Sequence, residues 1–97
     1  MPRTIVVLPT YDEAENLPLI VPQILEQSAD LEVLVVDDNS PDGTGKIADD
    51  LVAASSRVHV LHRSNKQGLG AAYRAGIARA LLLGADQVIQ MDADFSH

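Results

Sequence analysis

The chain of 97 residues contains no cysteine and no tryptophan, and two tyrosines and one phenylalanine are its only aromatic residues. Without cysteine it can have neither a disulfide framework nor a thiolate metal site. Basic residues are also few, with 7 lysines and arginines against 14 aspartates and glutamates, so the formal net charge is −7. This balance disfavours nonspecific binding to nucleic acid or to anionic lipid surfaces. It does not exclude a nucleotide, because a metal ion can bridge carboxylates to phosphates.

Long apolar runs are absent as well. None approaches the roughly 20 residues that a helix needs to span a bilayer. Met1-Pro2-Arg3 leads directly into an apolar strand pattern without the features of a signal peptide, so we expect a cytoplasmic protein. Hydrophobic residues, mostly Val, Leu, Ile and Ala, make up 46% of the chain, which is typical of strands and helices packed in layers. The length allows one small domain.

Apolar runs alternate with amphipathic stretches along the whole chain. The pattern predicts strands near residues 4–8, 32–37, 58–62 and 87–91, with three helices between them. The βαβαβαβ order predicts an α/β fold, a Rossmann-like parallel sheet with helices on both faces. The third strand alternates and reads as an edge strand, whereas the fourth reads as buried. We also expect Pro22 to kink the first helix and Leu69 to point inward from the third.

Ligands of open parallel sheets bind at the carboxyl ends of the strands. The sequence places there residues 9–13, Asp37 and Asp38, Arg63 and Lys66, and finally Asp92 and Asp94. This concentration of carboxylates with two cations nearby indicates a site for a nucleotide and a divalent metal. The alternative for Asp37 and Asp38 is that they cap the turn and helix that follow them.

Asp92 and Asp94 are separated by one residue. On a strand such residues point to the same side, and two carboxylates that close repel each other unless they share a proton or a cation. A divalent ion that prefers oxygen ligands, Mg²⁺ or Mn²⁺, suits the pair. The alternative is a solvated Asp-x-Asp that caps the next turn.

Two other nucleotide- or metal-binding folds fit the sequence poorly. The stretch from Gly68 imitates a dinucleotide fingerprint, but Tyr73 stands where the third glycine belongs, and the first strand–helix turn has no glycine. Residues 33–38 resemble the opening strand of a phospho-receiver domain, but Pro41 and Gly43 intervene where its helix should start. We also expect His59 and His62 to face solvent rather than to bind a ligand.

Four motifs carry a family resemblance: residues 9–17 (PTYDEAENL), residues 36–44 (VDDNSPDGT), Gly68-Leu69-Gly70 with Tyr73 and Gly76, and residues 90–97 (QMDADFSH). Together they resemble the family 2 glycosyltransferases of the GT-A fold, and within them the dolichol-phosphate (polyprenol-phosphate) mannosyltransferases. The SPDGT and DADFSH segments favour mannose transfer over the related polyprenol-phosphate glucosyltransferases, which use UDP-glucose.

The resemblance implies roles for eight residues. The positions that hold the base and ribose of a nucleotide sugar correspond to Pro9, Tyr11 and Glu13, and the wall and acid beneath it to Val36 and Asp38. The element that contacts the nucleotide sugar corresponds to Asp92, Ala93 and Asp94, and within it Asp92 and Asp94 would bind Mg²⁺ or Mn²⁺. No catalytic residue within the chain follows from the resemblance.

The activity implied is inverting transfer of mannose from GDP-mannose to polyprenyl or dolichyl phosphate, at the cytoplasmic face of a membrane that the protein contacts peripherally. The family's groups for pyrophosphate and lipid phosphate lie further along the chain than His97. We therefore expect residues 1–97 to be the N-terminal, nucleotide-sugar-binding part of a single GT-A domain, truncated and inactive alone. A UDP-glucose-dependent enzyme and a non-catalytic nucleotide-binding fragment remain the alternatives.

Overall fold

A computed structural model of the chain describes residues 3–64 and 68–91. The strands and helices follow the predicted alternating order. Their bounds are β1 (Thr4–Thr10), α1 (Leu17–Gln27), β2 (Leu31–Asp37), α2 (Thr44–Ala54), β3 (Val58–His62), α3 (Leu69–Leu82) and β4 (Gln87–Gln90).

The four strands form one parallel sheet in the order β3-β2-β1-β4. β1 pairs with β2 over its whole length, from Thr4 opposite Leu31 to Thr10 opposite Asp37. The first two crossovers lead away from β1 on one side, and the third returns the chain to the other side of β1. The strand order therefore reverses between β1 and β4, and ligands of such sheets bind beside this reversal, at the carboxyl ends of the strands.

Helices cover both faces of the sheet, as predicted. Successive strand residues point to opposite faces, so Val6 and Leu8 face one side while Ile5 and Val7 face the other. The first side packs against α1 and α2, with a core of Val6, Leu8, Leu17, Ile20, Val21, Ile24, Val33, Val35, Ala48 and Val58. The second side packs against α3, with a core of Ile5, Val7, Leu34, Val36, Ala72 and Ala80. The predicted fold class is confirmed.

Several local expectations were wrong. β4 is an edge strand rather than a buried one: Gln87 and Gln90 are exposed and Ile89 is 42% exposed. Of the β4 residues only Val88 packs into the core, on the α3 side. The other face of β4 is less covered because α1 and α2 pack mainly over β2 and β3. Leu69 is 57% exposed because it occupies the first position of α3.

Two prolines lie inside regular secondary structure. β1 does not stop before Pro9 but continues to Thr10, with Pro9 opposite Val36 on β2. Pro22 lies inside α1, which continues to Gln27, and the expected kink at Pro22 stays a prediction. None of the helices in residues 3–64 and 68–91 is long and apolar enough to cross a membrane.

The edge of the sheet opposite the strands' carboxyl ends carries an ion-pair cluster. Arg3 donates from Nε and Nη2 to the two carboxylate oxygens of Glu32, each at 2.8 Å, and His59 Nε2 lies 2.8 Å from Glu32 Oε1. These contacts, the hydrogen bond from Arg3 above all, lower the pKa of Glu32 from 4.5 to about 2 although burial opposes the shift. The prediction that His59 faces solvent was wrong, since its side chain is only 26% exposed and binds Glu32. His62 is half-exposed, with Nε2 2.8 Å from Asp49 Oδ1.

Candidate functional site

A cavity of about 110 Å³ opens at the carboxyl edge of the sheet, on the face that α3 covers. Its lining consists of Pro9, Thr10, Tyr11, Asp38, Gly68, Leu69 and Ala72. Ligand clefts that enclose a whole drug-sized molecule are larger, roughly 300–1,000 Å³. The cavity therefore suits one ring-sized group, with the rest of a larger ligand lying along the edge of the sheet.

Asp38 places a buried carboxylate in this cavity. Its side chain is 6% exposed, and Arg63 Nη1 lies 3.2 Å from Asp38 Oδ1. The Asp38 backbone N–H donates to Thr10 O at 3.3 Å, which joins the ends of β1 and β2. A buried ion pair is a weak source of stability, because desolvation of both charges offsets their attraction. Its place in the wall of a cavity is better explained by binding of a polar ligand.

Asp37, the preceding residue, points to the other face of the sheet. It is 2% exposed, and its carboxylate accepts hydrogen bonds from Thr10 Oγ1 at 3.0 Å, from Ser40 N at 3.2 Å and from Ser40 Oγ at 2.6 Å. These bonds occupy the carboxylate within the protein. Of the two interpretations of Asp37, the one as an anchor for the turn is correct.

The predicted site residues fall into three groups. Pro9, Tyr11 and Asp38 line the cavity. Val36, on β2 two residues before Asp38, is fully buried and packs in the core on the α3 face. Glu13 is half-buried, and its carboxylate accepts a hydrogen bond from Asn16 Nδ2 at 3.0 Å.

The third group is the pair of predicted metal ligands with the residue between them. Asp92, Ala93 and Asp94 lie outside the described residues, as does Lys66. The nucleotide and metal roles of all eight residues stay predictions.

Sequence reasoning assigned no ligand role to part of the cavity wall, namely Gly68 and the α3 residues Leu69 and Ala72. Gly68 carried a usable signal. It has φ +93, a conformation that glycine adopts at little steric cost, and it directly precedes the first turn of α3. A glycine just before a helix has no side chain, so a ligand at the carboxyl edge of the sheet can contact the backbone there directly. The positions of Leu69 and Ala72 depend on how closely α3 approaches the sheet.

The described residues do not by themselves form a metal-binding site. Within residues 3–64 and 68–91 no group of three or more His, Cys, Asp or Glu side chains is arranged to hold one. Asp37 and Asp38 do not fit the role, because Thr10 and Ser40 occupy the first carboxylate and Arg63 the second. The predicted metal ligands Asp92 and Asp94 lie outside the described residues, and carboxylate oxygens such as theirs suit a divalent cation.

Comparison with known proteins gives a consistent result at the level of sequence. Residues 5–97 match the family described as glycosyl transferase family 2. The chain is 54% identical over 96 residues to the polyprenol monophosphomannose synthase of Mycolicibacterium smegmatis, and the match covers 98% of this chain and 36% of that relative. It is 50% identical over 95 residues to the undecaprenyl-phosphate mannosyltransferase of Micrococcus luteus, covering 98% of this chain and 39% of that relative. The chain thus spans well under half the length of these relatives.

Solved structures show the same fold. A mannosyltransferase from Pyrobaculum calidifontis, in complex with GDP-Man and Mn²⁺, matches with a TM-score of 0.83 and 28% identity, over 96% of this chain and 28% of that one. A structure of S. aureus TarS with UDP matches with a TM-score of 0.79 at 24% identity, over 95% of this chain and 27% of that one, and supports the fold alone.

Proposed function

Because the chain belongs to glycosyl transferase family 2, we propose that it forms the nucleotide-sugar-binding part of a mannosyltransferase that moves mannose from GDP-mannose to a polyprenyl phosphate. Two relatives at 54% and 50% identity are named as polyprenol-linked mannose enzymes. The structural relative at 28% identity was solved with GDP-Man and Mn²⁺. These names support mannose as the sugar and a polyprenyl phosphate as the acceptor.

The observation that carries the proposal is the cavity at the carboxyl edge, with the Asp38–Arg63 pair in its wall. Its size suits a nucleobase. Tyr11, 36% exposed, provides an aromatic ring beside it, and aromatic rings stack well on bases. The Asp38 carboxylate can accept a hydrogen bond from a ring N–H, a donor that guanine and uracil both carry. We therefore assign the base to this cavity and the diphosphate and sugar to the edge of the sheet beyond it.

A divalent metal belongs to this proposal. Asp92 and Asp94 would hold Mg²⁺ or Mn²⁺, and the bound ion would stabilise the negative charge that develops on the departing nucleotide. The Mn²⁺ in the Pyrobaculum calidifontis mannosyltransferase supports a divalent ion and leaves the choice between the two metals to experiment.

The reaction needs no strong base in this part of the chain. The acceptor phosphate is already anionic near neutral pH, because the second pKa of a phosphate monoester is about 6. Its oxygen forms a bond to the anomeric carbon of mannose while the bond from that carbon to GDP breaks, which inverts the configuration. The contribution of the described residues is to bind and orient the donor, which makes the encounter effectively intramolecular.

The proposal is tested by calorimetry on the intact protein with GDP-mannose and UDP-glucose, each in the presence of Mn²⁺. We expect GDP-mannose to bind the more tightly. Asp38→Asn should weaken binding of GDP-mannose with or without metal, since the amide removes the carboxylate charge beside Arg63 and can present a donor where a ring N–H needs an acceptor. Asp50→Asn, which removes an exposed carboxylate from α2, is the matched control and should change nothing. Tighter binding of UDP-glucose would instead favour a glucosyltransferase.

We further propose that the protein acts at the cytoplasmic face of a membrane, because the polyprenyl tail of the proposed acceptor resides in lipid. Residues 1–97 would supply the donor-binding half of one GT-A domain. Sedimentation with vesicles that contain polyprenyl phosphate tests the membrane contact: the intact protein should sediment with them, and recovery in the supernatant at every vesicle concentration would contradict it.

A further inference from the structure

The loop that follows β1 is stabilised by hydrogen bonds to side chains from another part of the chain. Three successive backbone N–H groups, those of residues 12–14, each donate to a side chain in the segment that follows β2 and ends at the first residue of α2. Their acceptors are Ser40 Oγ at 3.1 Å, Thr44 Oγ1 at 3.0 Å and Asp42 Oδ2 at 3.1 Å. We call Ser40, Asp42 and Thr44 the amide clamp. Each of the three side chains thus accepts a hydrogen bond from one of the three N–H groups.

The two hydroxyl groups of the amide clamp are fixed in direction by carboxylates. Ser40 Oγ donates to Asp37 Oδ1 at 2.6 Å and accepts from the Asp12 N–H. Thr44 Oγ1 donates to Asp42 Oδ1 and accepts from the Glu13 N–H, and its backbone N–H donates to the same Asp42 oxygen at 3.1 Å. The proton of each hydroxyl is thus committed to a carboxylate, so the oxygen lone pairs face the loop after β1. The hydrogen bonds that the Asp42 carboxylate accepts lower its pKa, and the one from the Thr44 hydroxyl contributes most.

The clamped segment needs such support. Asp12 has φ +56, a backbone conformation that side-chain-bearing residues adopt only where surrounding contacts compensate for the steric strain. Tyr11, immediately before it, lines the cavity and is 36% exposed at the edge of the sheet. The path of the chain at residues 12–14 therefore decides where the Tyr11 ring lies relative to Asp38 on the facing wall.

We propose that Ser40, Asp42 and Thr44 are positioning residues for nucleotide binding: they hold residues 12–14 in the conformation that keeps Tyr11 in the wall of the cavity. This inference rests on the proposed function, since it assumes that the cavity receives the base of GDP-mannose. It assigns the side chains of the SPDGT segment to the organisation of the neighbouring loop and not to direct contact with the ligand.

The substitution that isolates the effect is Thr44→Val. It keeps the shape of this fully buried side chain but removes the acceptor for the Glu13 N–H. A lost hydrogen bond lowers the population of the clamped loop, and the apparent affinity falls with that population. We expect the Kd of the intact protein for GDP-mannose to rise by about 3- to 10-fold. Thr44→Ser retains the hydroxyl and should stay close to the wild-type Kd.

Two further measurements separate positioning from general destabilisation. Thr4→Val is the matched control, because Thr4 also loses a hydroxyl bond, to Gln87 Oε1 at 3.0 Å, but at the opposite end of β1. Its Kd should equal that of the wild type. In the ligand-free protein, hydrogen exchange at the Glu13 amide should accelerate in Thr44→Val and not in Thr4→Val. At saturating GDP-mannose, kcat should stay near the wild-type value while KM rises.

Wild-type affinity in Thr44→Val, or an equal loss in Thr44→Val and Thr44→Ser, would overturn the proposal. If Thr44→Val does not fold, Ser40→Ala takes its place, since Ser40 is only half-buried and supports the Asp12 N–H in the same way. Failure of the wild type itself to bind GDP-mannose would contradict the proposed function instead. The role of the amide clamp in holding the loop is tested independently of ligand binding, and it would be refuted if hydrogen exchange at the Glu13 amide were the same in Thr44→Val and the wild type.

Discussion

The close approach of α3 to the sheet depends on Gly76. A Cβ added at this position would lie 2.4 Å from Val7 Cγ1 and 2.9 Å from Val36 Cγ2, both far shorter than a carbon–carbon contact. Val7 and Val36 are fully buried on the two central strands, so neither side chain can turn away. Gly76→Ala therefore forces α3 outward.

The expected magnitude combines two opposing effects. Overpacking a close-packed core costs typically about 1–3 kcal/mol. Replacing glycine by alanine inside a helix returns up to about 1 kcal/mol through helix propensity. A contact as short as 2.4 Å belongs to the upper part of the overpacking range, about 2–3 kcal/mol, so after a gain of about 1 kcal/mol we expect Gly76→Ala to lower the free energy of unfolding by about 1–2 kcal/mol. Because Ala72 lies on the same face of α3 and lines the cavity, binding of GDP-mannose should weaken too.

Gly70→Ala is the control within the same helix. The nearest atom to its added Cβ is Arg74 Nη1 at 3.4 Å, the end of a flexible side chain. This variant should be neutral or slightly more stable than the wild type. Urea unfolding of the intact protein, followed by circular dichroism, measures both variants. The reasoning is refuted if Gly76→Ala is as stable as the wild type, or if both variants shift in the same direction by the same amount.

Two further predictions concern charge. Because the pKa of Glu32 lies below its ordinary value of 4.5, its ion pairs stabilise the fold above that pH, and their contribution is lost as the pH falls towards about 2. Solvent screening at the partly exposed Arg3 limits that contribution to about 1–2 kcal/mol. The difference in unfolding free energy between wild type and Glu32→Gln should thus be largest above pH 5 and shrink on acidification, and a constant difference across the range would count against it. Asp94→Asn should remove most of the metal dependence of GDP-mannose binding, as measured by calorimetry with and without Mn²⁺, whereas equal metal dependence in both proteins would contradict the metal assignment.

The sequence predicted the central strands β1 and β2 and the edge strand β3 correctly, but it did not predict that β4 lies at an edge. β1 and β2 are short apolar runs, and such runs belong to strands covered on both faces. The segment from Gln87 to Gln90 has a similar appearance but forms an edge strand. The composition of a single strand does not determine its position in the strand order of the sheet.

The site shows a similar division. Neighbouring residues at a strand end point to opposite faces, so Asp37 and Asp38 have different roles although their sequence context is shared. One anchors the turn through Ser40, and the other pairs with Arg63 in the cavity wall. The strand-end pattern left both interpretations open for both residues, and only the family resemblance selected Asp38 for the nucleotide site. The contribution of Ala72 was out of reach, because it follows from the contact of Gly76 with two strands that are distant in sequence.

The central claim is that this chain binds the donor of a polyprenyl-phosphate mannosyltransferase. The most direct measurement incubates the intact protein with radiolabelled GDP-mannose, polyprenyl phosphate and Mn²⁺, and follows label that moves into the organic phase. We expect a lipid-linked mannosyl phosphate of β configuration, formed faster from GDP-mannose than any product from UDP-glucose, and formed more slowly by Asp38→Asn than by the wild type. A product formed only from UDP-glucose, or equal turnover in wild type and Asp38→Asn, would contradict the account.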